Sequence, residues 1–135
     1  MRLFKINITV IIIVGFLFIT HDRDFAQESD YLAEIEYELD YEIELPKLKV
    51  KGFFINNTTE EFEAEYDLKV QKNSGSGKAD SDQIGNFNAT PMEKVFLSES
   101  VMNISEDAEY EITLEIKKKN QVIAIKSINL KGQEF

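Results

Sequence analysis

The residues in this chain that could do chemistry are nearly all carboxylates. Asp and Glu total 25 against 15 Lys and Arg, for a net charge of −10 over 135 residues. Two carboxyls facing each other across a cleft can act as an acid and base pair. These acids are arranged differently. Glu34, Glu36, Glu38, Asp40, Glu42 and Glu44 alternate with apolar residues in one run, and Glu61, Glu63, Glu65 and Asp67 do so in another. That spacing sets them on solvated strand faces, where nothing raises a carboxyl pKa, so no catalytic residue is assigned. His21 is the only histidine, and there is no cysteine. A mature chain without both has no Ser-His or Cys-His nucleophile, no His-based zinc site and no disulfide framework.

Asp80-Ser-Asp82-Gln-Ile-Gly85 imitates the opening of a calcium loop, with acids at its first and third positions and Gly at its sixth. The twelfth position is Pro91, where such a loop needs a bidentate Glu. No metal site and no cofactor are assigned, and only loose ion binding by the neighbouring Gly/Ser loop stays open. Gly75-Ser-Gly77 is followed by neither the Gly-Lys-Ser/Thr of a phosphate loop nor a helix, so it does not cradle phosphate. Lys117-Lys-Lys119 reads as a solvated hairpin tip.

The elements that must position these groups are strands. Tyr31, Ala33, Ile35, Tyr37, Leu39, Tyr41, Ile43 and Leu45 occupy odd positions against the first acidic row, the period of a long half-buried strand with room for a bend near Asp40. Pro46 interrupts the ladder. Lys47–Asn56 follows, with Leu48, Val50, Gly52 and Phe54 on one face. Glu60–Gln71 comes next, with Phe62, Ala64, Tyr66, Leu68 and Val70 inward. Asn73–Gly77 is a flexible turn before a short strand near Asp82–Asn88, stopped by Pro91. A fifth strand covers roughly Glu93–Leu97, a sixth Tyr110–Lys117 and a seventh Val122–Leu130, leaving Gly132–Phe135 as a tail. About seven antiparallel strands and no amphipathic helix predict an all-β, immunoglobulin-like β-sandwich. Tyr110 fits the corner tyrosine that opens a late strand in such folds.

The N-terminus sets the compartment. A short basic start, Met1–Lys5, precedes an apolar run from Ile6 to Ile19, the length of a secretory signal core and too short to span a bilayer. Cleavage after Ala26 is expected, giving a signal peptide over 1–26 and one domain over 27–135. The expected location is the periplasm, with the extracellular space or cell surface as the alternative. Strong acidity argues against nucleic acid and against anionic membrane surfaces, so no membrane contact is expected after signal removal.

One stretch carries a resemblance. Tyr66-x-Leu-x-Val-x-Lys72-x-Ser74-Gly75-Ser-Gly77, then Gln83-Ile-Gly85-x-Phe87-x-Ala89, resembles the small periplasmic curli-assembly proteins of the CsgH/CsgC type. Leu97-Ser98 and Tyr110-x-Ile-x-Leu-x-Ile116 fit that family's later strands. The resemblance implies a seven-stranded immunoglobulin-like sandwich, export and no enzyme activity. Its implied role is a chaperone-like inhibitor of premature amyloid polymerisation, acting on a curli-type fibre subunit or another exported protein. Gln83, Gly85, Phe87 and Tyr110 then read as fold determinants, with Phe87 in the core and Gly85 allowing a bulge or close packing. The candidate partner contacts are Lys69, Gln71 and Lys72, taken as alternating with the core row of the third strand, and the acidic row containing Glu34, Glu36 and Glu38. A monomer is expected. The acidic row has two readings, a solvated guard on an edge strand or a face for a basic partner. The competing function is a non-catalytic surface-adhesion or binding module of the same fold.

Overall fold

The computed structural model describes residues 29–41 and 45–135. The expected signal peptide and the acids Glu42 and Glu44 lie outside the described residues. Seven strands follow in chain order: β1 (Tyr31–Asp40), β2 (Lys47–Asn56), β3 (Phe62–Ser74), β4 (Gly77–Ala89), β5 (Lys94–Asn103), β6 (Glu109–Lys118) and β7 (Gln121–Lys131). They form a three-stranded sheet ordered β1-β2-β5 and a four-stranded sheet ordered β4-β3-β6-β7, with every pairing antiparallel. The all-β sandwich read from the alternation is the fold observed.

Each sheet turns one row of side chains inward. Leu48, Val50 and Phe54 of β2 meet Leu68 and Val70 of β3 and Ile112, Leu114 and Ile116 of β6, all essentially without solvent exposure. Burying side chains of this size stabilises a fold by about 1.5–3 kcal/mol each. Aromatic rings close one end of the core. Tyr31 stacks on Phe62 at 4.3 Å between centroids, and Phe54 lies 4.9 Å from Phe87. Asn56 seals this end from inside. Its Nδ2 donates to the carbonyls of Glu60 at 2.8 Å and Thr90 at 3.1 Å, and its Oδ1 accepts from the Thr58 backbone N–H at 3.0 Å.

Tyr110 closes the other end. Its ring is buried, and its hydroxyl donates to the Asn103 carbonyl at 3.0 Å while accepting from the Ser105 N–H at 3.0 Å. This is the corner tie that the sequence suggested. Burial pushes the phenol pKa up, the Ser105 N–H partly offsets that, and the Asp107 carboxylate adds to it.

Several elements differ from the sequence expectation. β1 ends at Asp40, where the sequence allowed a bend. The turn after β3 is tight, Ser74 pairing with Gly77, and β4 spans 13 residues instead of a short stretch near Asp82. Lys78-Ala-Asp-Ser81 carries no apolar alternation, yet extends because β3 supplies a full ladder of backbone partners. β5 is one strand through Asn103 because a bulge opposite Gly52 and Phe53 shifts its alternation by one residue. A second bulge, opposite Ile116 and Lys117, points Ile125 outward, where it is 58% exposed, while Ala124, Ile128 and Leu130 pack on the core. Gly132–Phe135 is no loose tail. Gly132 donates its N–H to the Ala108 carbonyl at 2.8 Å, and the Phe135 ring stands 6.0 Å from that of Tyr110.

Two substitutions test this corner. A Cβ on Gly132 would sit 1.9 Å from the Ser105 carbonyl oxygen, so Gly132→Ala is expected to open the corner and lower the urea midpoint sharply. Tyr110→Phe keeps the ring and leaves the Ser105 N–H without its hydroxyl acceptor, while the Asn103 carbonyl keeps only Lys72, an expected loss of about 1–3 kcal/mol in urea unfolding.

Candidate partner interface

The outward rows make two surfaces of different electrical character. On the three-stranded sheet, β1 presents Glu34, Glu36, Glu38 and Asp40, and the cross-strand partners of the last three on β2 are Lys51, Lys49 and Lys47. An acidic column therefore runs beside a basic one. Lys49 bonds Asp40 at 3.0 Å, and Lys94 of β5 reaches over Phe53 to Glu34 at 2.8 Å and Glu36 at 3.0 Å. The Lys94 ammonium stands 4.4 Å from the Phe53 ring centroid. Burial works against its charge, but the hydrogen bonds to Glu34 and Glu36 outweigh burial and its pKa is raised. Phe96, 54% exposed, meets Phe53 edge-on at 5.7 Å and forms the apolar end of this face.

The outer face of the four-stranded sheet mixes signs along β3, β4 and β6. Lys69 lies between Asp82 on β4 and Thr113 on β6, and Gln71 between Asp80 and Glu111. Lys69 is exposed and Gln71 half-buried. Lys72 is not beside them. It falls on the core-facing row, paired with Tyr110, and its Nζ bonds the Asn103 carbonyl at 3.0 Å. The alternation in β3 runs unbroken through Val70, so an even-numbered residue must face inward. Lys72 thus helps close the tyrosine corner, its ammonium 5.9 Å from the Tyr110 ring centroid. The six candidate contacts separate into Lys69 and Gln71 on one side of the sandwich, Glu34, Glu36 and Glu38 on the other, and Lys72 at one end of the core.

The motif residues have structural duties. Gln83 Nε2 donates to the Glu99 carbonyl at 2.8 Å, tying β4 to β5 across the two sheets, and Ser100 Oγ meets Ser81 Oγ at 2.9 Å on the same seam. Gly85 stands opposite Tyr66 in an unbroken register, so it makes no bulge. Its missing Cβ gives the Tyr66 ring its place, since a Cβ would lie 2.8 Å from Tyr66 Cε1. Phe87 packs on the core against Phe54. Asp80 and Asp82 stand outward on extended β4 while Ser81 and Gln83 serve the seam, so the calcium-like string does not wrap around a centre.

Sequence reasoning did not single out Asp67. It sits in the middle of the four-stranded face, between Ile84 and Glu115, with its Oδ1 buried and unmatched by a donor. Hydrogen bonding to Asp82, which needs a proton on one of the two carboxyls, raises its pKa, and burial adds to the rise. The local signal was an acid and a later acid two strands' worth of turn away, which becomes a pair only once the β3-β4 register is known.

A family model described as CsgH protein matches residues 48–127. The solution structure of CsgH from R. palustris superposes with a TM-score of 0.50 at 20% identity, covering 76% of this chain and 94% of that one. The E. coli curli protein CsgC superposes with a TM-score of 0.54 at 12% identity, covering 70% of this chain and 96% of that one. These superpositions bear on the fold. No curated protein sequence matches the chain at significant similarity.

The Asp67 carboxyl carries a pH dependence with a definite sign. Its pKa is raised on folding, so its contribution favours the fold below the ordinary carboxyl value of 3.8 and is lost as pH rises through the higher folded value. Asp67→Asn, which removes the charge and lets an amide donate to Asp82, is expected to raise the urea midpoint at pH 7. The advantage should shrink as pH falls towards 3.8. Equal midpoints for the two proteins at pH 7 would show that the pair costs nothing.

Proposed function

The chain belongs to the CsgH family, and on that premise we propose that it is an exported, non-enzymatic curli-assembly protein. In this reading it keeps curli-type subunits from polymerising before they are secreted, through brief contacts with an exposed charged sheet. The E. coli structure that shares its fold is of a curli protein. The apolar run Ile6–Ile19 behind a basic start supports export to the periplasm.

The observation that carries the mechanism is the outer face of the four-stranded sheet. Amyloid grows when a strand adds to an unpaired edge and becomes the next edge. A sheet face has no free backbone ladder to offer, so a strand meeting Lys69 and Gln71 there forms side-chain contacts only. Lys69 is exposed between Asp82 and Thr113, and Gln71 has Asp80 and Glu111 beside it. Exposed charge pairs of this kind are worth about 0–1 kcal/mol each, which suits short-lived contact rather than tight capture. The protein is expected to act as a monomer, since a nucleus met by weak contacts needs only encounter frequency.

A thioflavin assay tests this. Substoichiometric protein, added to a purified curli-type major subunit, is expected to lengthen the lag several-fold. The Lys69→Ala/Gln71→Ala variant, folded by circular dichroism, should restore most of the original lag. An unchanged lag with the wild-type protein would remove the proposal.

A further inference from the structure

Cross-strand register lines up one outward row from side to side of the four-stranded sheet. Ile84 of β4 stands opposite Asp67 of β3, Asp67 opposite Glu115 of β6, and Glu115 opposite Ile125 of β7. The row reads apolar, acid, acid, apolar. Single exposed apolar side chains are ordinary on a protein surface, but these two are the ends of one row. Ile84 is 61% exposed, and its outward neighbours along β4 are Asp82 and Asn86. Ile125 is 58% exposed, and the β7 bulge is what turns it out.

The middle of the row holds acid in excess. Together with the rows on either side, it sets four carboxyls, Asp67, Asp82, Glu65 and Glu115, among two lysines, Lys69 and Lys117. Lys117 is bonded to Glu115 at 3.2 Å. Asp67 is hydrogen-bonded to another acid, Asp82, and its Oδ1 has no donor.

The spacing of the row fits an extended chain laid across it. Neighbouring strands lie about 4.8 Å apart, so three steps from β4 to β7 separate the isoleucines by about 14 Å. An extended chain rises about 3.4 Å per residue and turns alternate side chains to one side, so its residues i and i+4 are also about 14 Å apart, with i+2 midway. A steep crossing is one of the two ways in which β layers pack.

We propose that this row is a docking surface for an extended segment of a partner protein that reads apolar-x-basic-x-apolar and crosses the strands. Its two apolar residues cover Ile84 and Ile125, and its central Lys or Arg stands over Asp67 and Glu115. An acid at the centre would add like charge to the excess, and a shorter spacing would leave one isoleucine uncovered. The inference rests on the reading of this face as the contact surface and adds what the face selects.

Amide chemical-shift titration of the mature protein tests it with three end-blocked peptides. The first is Thr-Val-Thr-Lys-Thr-Val-Thr. The second has Glu in place of Lys, and the third, Thr-Thr-Val-Lys-Val-Thr-Thr, keeps the composition and changes the spacing. The first is expected to shift the amides of Ile84, Asp67, Glu115 and Ile125 saturably, and the other two to bind several-fold more weakly. Ile84→Ser/Ile125→Ser, which alters two exposed side chains, should weaken the first peptide several-fold and leave the spectrum that of a folded protein. Equal binding of either control peptide, shifts centred on another face, or no shift at all would overturn the inference. So would row amides that move with protein concentration alone, which would assign the face to a second copy. The thioflavin assay separates this outcome from the function proposed above. Peptide selectivity with an unchanged lag would remove the curli reading alone, and a lengthened lag without peptide selectivity would remove the row alone.

Discussion

With no cysteine in the chain, the two sheets are joined chiefly by apolar contact between β2 and the β3-β6 pair. Leu48, Val50 and Phe54 face Leu68, Val70, Ile112, Leu114 and Ile116, and none retains appreciable exposure. Gly52 lies within this contact, where a Cβ would come to ordinary van der Waals distance, 3.4 Å from Leu114 and 3.6 Å from Leu68. The same contact fixes every surface. Side chains alternate along a strand, so a slip of one residue in β3 would bury Lys69 and expose Leu68. The charged faces are therefore consequences of the core register.

The core is bounded by buried polar groups, each with partners that only one arrangement provides. Asn56 joins the β2 end to the segments around Glu60 and Thr90. Tyr110 joins the start of β6 to the end of β5. An unmatched donor or acceptor in either place costs about 1–3 kcal/mol, so these residues specify register as well as add stability. The seam ties at Gln83 and Ser81 play a related part at the edge, consuming groups that would otherwise invite a further strand.

Where alternation was strong, the sequence was a good guide. β2, β3 and β6 show three to five apolar residues at period two, and the inward rows read for them are the rows buried, although β3 runs from Phe62 to Ser74 rather than from Glu60 to Gln71. It failed where structure comes from a neighbour rather than from the segment itself. Lys78–Ser81 is polar at every position but one and extends only because β3 pairs with it. The β5 and β7 bulges break the period, and nothing local announces a bulge without its partner strand. Of the candidate contacts, Lys69 was legible as outward because it sits between Leu68 and Val70. Lys72 stands on the inward row that its even number dictates, although its charge suggests an outward place. Its long stem lets the ammonium reach the Asn103 carbonyl from an inward row.

The two charged faces also show why an acidic row in a sequence is a poor measure of available charge. The row on β1 is the most regular in the chain, yet on the paired side it is met by a lysine column one strand away and by Lys94 from the strand beyond. On the four-stranded face acids recur in neighbouring columns, as with Asp80, Asp82, Glu111 and Glu115 around β3. Repulsion there is relieved by raising a carboxyl pKa at Asp67 and by the cations Lys69 and Lys117, the latter bonded to Glu115 at 3.2 Å. Charge free to act on a partner is what remains after the sheet has neutralised its own columns. By that measure Lys69, exposed in the middle of β3, is a charge that the sheet leaves open, and register puts it there.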